Sequence, residues 1–280
     1  MIFTNSLYND YISGCSRDFL ESAKIHPYTV FEYGMHVTGI MASDYYMREI
    51  YNSTVEYGNI SSIPLPKVRP SGDLEVWNRI NKTRSSIRHF DERKTMSLED
   101  ISSVLQQTLF ITKPNLGKHD VNHRNIASPG GLYPVDLYYL NLKDIPGLKA
   151  GAYFYDIFDQ SLKLLSDPLE SKVFFNKVLE AFSVEEGVPV DIDFFNASGI
   201  VILSGTLNRT TFKYLDRGIK WIFTEAGAIL NNLQLVATAH GHIGACPCAG
   251  FIDDDISSLL GFETANQLPI ISIVIGRTKK

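Results

Sequence analysis

Phe212-Lys213-Tyr214-Leu215-Asp216-Arg217-Gly218-Ile219-Lys220-Trp221 runs into a long apolar helix through Glu225-Ala226-Gly227. From about residue 216 to 240, Ile219, Ile222, Phe223, Ala226, Ile229, Leu230, Leu233, Val236 and Ala237 cover more than one face. A helix apolar over so much of its circumference is buried between layers or in a dimer interface. At its mouth an amine, Lys213, stands beside a phenol, Tyr214. Both are proton-transfer groups, and neither is required for packing.

The flanking sequence supplies layers for such a helix. Upstream, Gly199-Ile200-Val201-Ile202-Leu203-Ser204 is a short β-branched run suited to a central, buried strand. Residues 135–142, 152–156 and 161–165 read as further strands, the last two forming a hairpin around Asp159-Gln160. Residues 169–182 read as an amphipathic helix. Ser97 is an N-cap with Asp100 three residues on, and Leu98, Ile101, Val104, Leu105 and Leu109 form one helical face. Residues 112–127, with His119, His123 and Arg124, read as a polar loop. Downstream, Gly241 ends the long helix. Gly244-Ala245-Cys246-Pro247-Cys248-Ala249-Gly250-Phe251 reads as a loop of small residues, residues 253–260 as a short helix, and 270–275 as a last strand. Strands and helices do not alternate as in βαβ units, and no Gly-x-Gly-x-x-Gly fingerprint occurs, which argues against a Rossmann domain.

Residues 1–70 read as an N-terminal extension, with short helices near 15–25 and 40–51 and frequent tyrosines. Pro64, Pro66, Pro70 and Ser71-Gly72 mark a linker, leaving 71–280 as the main domain. The extension is expected to pack on that domain, as an ordered arm or as half of an interface with a partner or a second copy.

At 280 residues, 44% hydrophobic and 20% charged, the chain has the composition of an ordinary globular protein. Its net charge of -5 and lack of a basic block argue against nucleic acid as a partner. No apolar run reaches the ~18 residues of a membrane span, and residues 1–10 carry no secretory pattern. Cys15, Cys246 and Cys248 are an odd set, which argues against a disulfide framework and for a reducing, cytoplasmic compartment. The seven histidines show no metal-ligand spacing, so no metal site is expected.

Three features point to one kind of ligand. Lys82-Thr83-Arg84-Ser85-Ser86-Ile87-Arg88-His89-Phe90 concentrates guanidiniums and hydroxyls suited to phosphate oxygens, although a solvated basic turn would have the same composition. Ser128-Pro129-Gly130-Gly131-Leu132-Tyr133-Pro134 and the 244–251 stretch offer small residues where backbone can approach a flat ring. Lys213 and Tyr214 offer acid–base chemistry. A phosphorylated planar cofactor such as flavin mononucleotide (FMN) would use all three; a nucleotide or pyridoxal phosphate would use the first two.

The motifs Thr83 to Phe90, Ser128 to Pro134, Gly151-Ala152-Tyr153-Phe154-Tyr155-Asp156, Glu225-Ala226-Gly227 with Asn232, Gly244 to Asp254, and Ile275-Gly276-Arg277 resemble, in this order, the FMN-dependent nitroreductase-fold superfamily. They are similar to its SagB-type branch, the thiazole/oxazole-forming peptide maturase dehydrogenases. The resemblance covers roughly residues 75–280. It implies an α+β fold, a mainly antiparallel central sheet flanked by helices, in an obligate homodimer with FMN at the interface. It further implies that Arg84, Ser85, Ser86 and Arg88 hold the phosphate and ribityl chain. Ser128, Pro129, Gly130 and Gly131 would face the flavin of the other subunit, Pro247, Cys248, Ala249 and Gly250 would line the ring, and Arg277 would add a phosphate contact. Pro129, Cys248 and Ala249 depart from the usual pattern, which bears on the ring contacts.

Phe212 to Gly218 resembles the Lys-Tyr signature of azoline dehydrogenases in microcin-type synthetases. By that resemblance the substrate is a ribosomally made precursor peptide carrying thiazoline or oxazoline rings, oxidised to thiazole or oxazole, and the partners are cyclodehydratase subunits. Either Tyr214, held as phenolate by Lys213, or Lys213 itself would take the proton. A flavin-dependent NAD(P)H reductase of nitro compounds or dehydroamino acids, and a non-catalytic scaffold subunit, are the competing readings.

Overall fold

The computed structural model describes residues 11–55, 58, 61, 63–116, 121–165, 169–185, 191–262 and 265–279. Six strands form one sheet, β3 (Val135–Asn141), β4 (Gly151–Asp156), β5 (Ser161–Leu164), β6 (Gly199–Thr206), β7 (Ile243–Cys248) and β8 (Gln267–Arg277). Their order is β5-β4-β3-β6-β8-β7, and every neighbouring pair is antiparallel. The expected α+β architecture with an antiparallel central sheet is therefore present.

The sheet is covered on both faces. Helix α5 (Leu98–Thr108) and the 24-residue α8 (Arg217–His240) bury Ile101, Val104, Leu105, Ile222, Ile229 and Leu233 against Val135, Leu137, Val201 and Ile273. On the other face, α6 (Ser171–Ala181) and α9 (Asp253–Leu259) bury Phe174, Val178 and Ile256 against Tyr138, Leu140, Ile202 and Val274. The two faces of β3 therefore belong to two different cores, and the strand is buried at all seven positions. Both arms of the Ser97–Asp100 capping box are formed, as read from the sequence.

The 112–127 stretch is not a plain loop. It forms a hairpin of β1 (Ile111–Leu116) and β2 (Val121–Arg124), and His119 lies outside the described residues. The small-residue stretch after Gly241 is a strand through Cys248, not a loop. Pro247, which cannot donate to a ladder, is tolerated because β7 is an edge strand paired only with β8.

The N-terminal segment is not uniform. Helices α1 (Gly14–Ser22), α2 (Val30–Met41), α3 (Asp44–Asn52) and α4 (Asp73–Thr83) precede the sheet. Ile12 and Ile25 are buried, the Ser13 amide donates to Asp216 at 2.7 Å, and the Ile25 amide donates to Asp253 at 2.9 Å. Helix α2 has no buried residue and exposes Phe31, Tyr33, Met35 and Met41. Among the described residues no helix is long and apolar enough to cross a membrane.

Candidate functional site

Lys213 and Tyr214 do not lie on the long helix. They end a separate seven-residue helix, α7 (Asn208–Tyr214), and the chain turns at Leu215, φ +49°, before α8 begins. Gly218 makes this junction possible, since a Cβ there would lie 2.8 Å from the Thr210 carbonyl carbon and 2.9 Å from the Thr211 amide nitrogen. Lys213 is exposed and Tyr214 half-buried, with the Lys213 Nζ 5.1 Å from the Tyr214 ring centre. Trp221, on the first turns of α8, meets the Tyr214 ring edge-on at 6.3 Å.

Tyr214 packs on the glycine turn. Gly130 has φ +74°, and a Cβ on it would sit 2.4 Å from the Tyr214 hydroxyl. Two regions more than 80 residues apart in sequence, the Lys-Tyr pair and the 128–131 turn, are thus one site. Gly131, φ +64°, has no atom within 4 Å of where its Cβ would stand, so its backbone is open to a flat ligand.

The second group of predicted residues gathers along β7. The Ile87 amide donates to the Ala245 carbonyl at 3.1 Å, and Gly244 and Gly276 leave room for Ile87 and Phe90. The run 84–88 therefore lies against the strand that ends in Pro247 and Cys248. Gly250 is open in the same sense as Gly131. Arg84 is half-buried and makes no ion pair among the described residues, whereas the Arg88 Nε pairs with Asp191 at 2.7 Å. Ser85 joins Thr83, His89, Thr278 and Lys279 around a cleft of about 490 Å³ beside the end of α8. His89 and Lys279 had not been singled out. Burial pushes the Cys246 and Cys248 thiols up, which keeps them protonated at this strand.

Arg277 stands apart from the residues expected to line a ring. It is opposite Ile243 in the ladder, five residues from the Cys248–Ser272 pair, and its Nη1 pairs with Asp100 at 3.1 Å. Burial alone would raise the Asp100 carboxyl, but the Ser97 amide, His242 and Arg277 outweigh it and hold it low.

Beneath the glycine turn lies a cluster of charges. Arg209, in the first turn of α7, pairs with Asp136 of β3 at 2.7 Å, with Arg124 of β2 at 4.0 Å from the same carboxylate. Glu225 on α8 is 1% exposed, and its Oε1 accepts from the Val135 amide at 3.2 Å. Burial pushes its carboxyl up to about 7, against the Ser128 hydroxyl, the Val135 amide and Arg124. The motif residue Asn232 is also a bracket, donating to the Thr108 carbonyl at 2.6 Å. Sequence reading had singled out neither Asp136 nor Arg209. The available clue was charge inside an apolar pattern: Asp136 between Val135 and Leu137, and Glu225 beside Ile222, Ala226 and Ile229.

The residues present fit a phosphorylated flat cofactor. They offer a guanidinium, that of Arg84, with no ion pair among the described residues, hydroxyls beside it, and two open glycine backbones at which a ring can lie. No group of three or more His, Cys, Asp or Glu side chains among the described residues could hold a metal ion.

Comparison with known proteins bears on the whole arrangement. A family model described as "Nitroreductase family" matches residues 82–277. A protein of Methanocaldococcus jannaschii provisionally named a nitroreductase is 22% identical over 221 residues, covering 79% of this chain and 98% of its own. Among solved structures, the Escherichia coli microcin synthetase McbBCD complex with truncated pro-MccB17 bound contains a chain that superposes with a TM-score of 0.66 at 17% identity, over 92% of this chain and 96% of that one. A provisionally named nitroreductase of Ralstonia eutropha JMP134 superposes with a TM-score of 0.56 at 21% identity, over 78% and 89%.

Proposed function

The chain belongs to the nitroreductase family, and from that premise we propose that it is an FMN-dependent dehydrogenase that oxidises thiazoline or oxazoline rings in a precursor peptide to thiazole or oxazole. The observation that carries this reading is the seating of Tyr214 on Gly130 with Lys213 beside it, which sets a proton-transfer pair at a turn open to a flat ring. The likeness to a chain of a peptide-bound microcin synthetase supports a peptide substrate and synthetase partners.

FMN, when bound, supplies the acceptor for the hydride that leaves the azoline ring. The chain's own residues supply the rest. Arg84, with Ser85 and Ser86, binds the phosphate, and Arg88 joins them by exchanging Asp191 for it. Gly130 and Gly131 from one protomer and residues 247–250 from its partner bound the ring in a homodimer. The proton leaves a ring carbon, a weak acid, so a base must be positioned at it. Tyr214 takes that proton as phenolate and becomes the neutral phenol, with the Lys213 ammonium stabilising the phenolate before the transfer; Lys213 acting directly is the second form of the same reading.

The purified protein should absorb as a flavoprotein, and incubation with an azoline peptide should remove two hydrogens per ring by mass spectrometry. Tyr214→Phe and Lys213→Ala should each slow this by about 10²–10⁴-fold. Full activity in both variants would refute the assigned roles. Rapid anaerobic bleaching of the flavin by NAD(P)H would favour the reductase reading instead, and a colourless protein the scaffold.

A further inference from the structure

We propose that the quartet Arg124, Asp136, Arg209 and Glu225 is a positioning device that locks helix α7 to the glycine turn and so sets Tyr214, with Lys213, at the reacting position. The inference rests on the proposed function for the reaction it serves, but its geometry is independent of the substrate.

The backbone of residues 133–135 is gripped at every polar atom. The Tyr133 amide donates to the Ser128 hydroxyl at 2.9 Å, and the Tyr133 carbonyl accepts from the Arg209 Nη1 at 3.1 Å. The Pro134 carbonyl accepts from the Thr206 amide at 2.8 Å. The Val135 amide donates to Glu225 at 3.2 Å, and the Val135 carbonyl accepts from the Arg124 Nη1 at 3.2 Å. The Tyr133 hydroxyl accepts from the Arg124 amide at 3.1 Å. Tyr133 itself is held at φ +46°, a conformation a non-glycine residue keeps only when its surroundings over-determine it. Four elements that are distant in sequence contribute one charged side chain each, two positive and two negative when ionised.

Arg209 links this grip to the chemistry. It is four and five residues ahead of Lys213 and Tyr214, about one helical turn. A helix of seven residues does not hold its own position in water, so its placement is dictated by what holds its ends. One end is held by Arg209 on the Tyr133 carbonyl and Asp136. The same end is tied to α8, where the Thr210 hydroxyl donates to the Gly218 carbonyl at 3.1 Å. At the far end of the helix, four residues beyond Thr210, the Tyr214 hydroxyl comes to rest on Gly130. Arg209 has no contact with the reacting groups in this arrangement, and acts through the register of the helix that carries them.

The test is a double-mutant cycle on the full chain. Arg209→Met should lower kcat for azole formation by about 10²-fold, the cost of misplacing a catalytic group by about 1 Å, with KM and the bound-flavin spectrum unchanged. Arg209→Met combined with Tyr214→Phe should be no slower than Tyr214→Phe alone, because both act through one group. Losses that multiply would overturn the proposal. Should Arg209→Met not fold, Glu225→Gln, which keeps an acceptor for the Val135 amide, replaces it in the same cycle with the same two outcomes. Absence of azole formation in the parent protein would count against the proposed function and leave this inference to a second readout. In a Trp77→Phe background Trp221 is the sole tryptophan, and its emission should shift when Arg209→Met moves Tyr214 from the indole. An unchanged emission would overturn the proposal whatever the reaction proves to be.

Discussion

The glycine turn and the 84–88 run are built from the same kinds of side chain, yet they do opposite things. Each has two arginines and nearby serine hydroxyls. Around the turn, Arg124 and Arg209 are held under the sheet end, with Asp136 between them and backbone carbonyls within 3.2 Å. Along β7, Arg84 is unpaired among the described residues, and Arg88 reaches an aspartate that is 68% exposed. The difference lies in the partners each arginine has and, for Arg124 against Arg88, in burial: 10% of the Arg124 side chain is exposed and 45% of the Arg88 side chain. A buried guanidinium must have its partners inside the protein, so it becomes a bracket. A guanidinium at the surface keeps water as an exchangeable partner and is available to a ligand's anion.

Removing an arginine's carboxylate partner in each region separates the two most widely. Asp136→Ala leaves Arg124, whose side chain is 10% exposed, and the half-buried Arg209 short of a counter-charge and should destabilise the fold by about 3–5 kcal/mol. Asp191→Ala, the counterpart on the surface, should change stability by less than about 0.5 kcal/mol. Urea midpoints of the two variants measure the contrast, and similar losses would erase it.

Next in size is a pH effect confined to the buried region. The Glu225 carboxyl is raised to about 7 in the folded chain, from an ordinary value of about 4.3. Between these values the folded state holds a proton that the unfolded state has released, so stability should fall as pH rises through that window and level off above it. The fall should be roughly 3 kcal/mol. Glu225→Gln should remove this component, which urea unfolding at about pH 5 and about pH 8 would reveal.

Gly130→Ala should cost about 1–2 kcal/mol for the left-handed backbone, with more where the Cβ meets the Tyr214 hydroxyl. Its larger effect should be on turnover, and a normal rate would show that the Tyr214–Gly130 contact is dispensable. The smallest stability change is expected for Arg84→Gln, within about 0.5 kcal/mol. The same substitution should lower flavin retention on gel filtration, read as visible absorbance per protein. Unchanged retention would remove Arg84 from the phosphate site.

What the sequence made legible follows the range of the interactions involved. The β-branched run of β6, the capping box at Ser97 and the apolar circumference of α8 are local patterns, and each is formed in the structure. The glycine of the 212–221 stretch was visible as a motif, but its reason was not. Gly218 is needed because the next helix crosses over Thr210 and Thr211. The bracket under the turn was least legible. Its members lie at 124, 136, 209 and 225, and no window contains more than two of them. The 244–251 stretch was misread because small residues and Pro247 suit a turn and an edge strand equally. Only the pairing with β8, set by a strand more than 20 residues downstream, decides between them.

The hydrogen bond from the Ile87 amide to the Ala245 carbonyl also bears on solubility. An outer strand offers unpaired amides and carbonyls to any other extended chain, and an unguarded one invites fibrillar association. On β7, Pro247 lacks an amide to offer, and residues 84–88 already occupy the strand's flank at Ala245. The segment assigned to the phosphate is therefore also a lid on the sheet's open side. Variants that loosen it, such as Ile87→Asp, should lose more to aggregation than their thermodynamic stability would suggest.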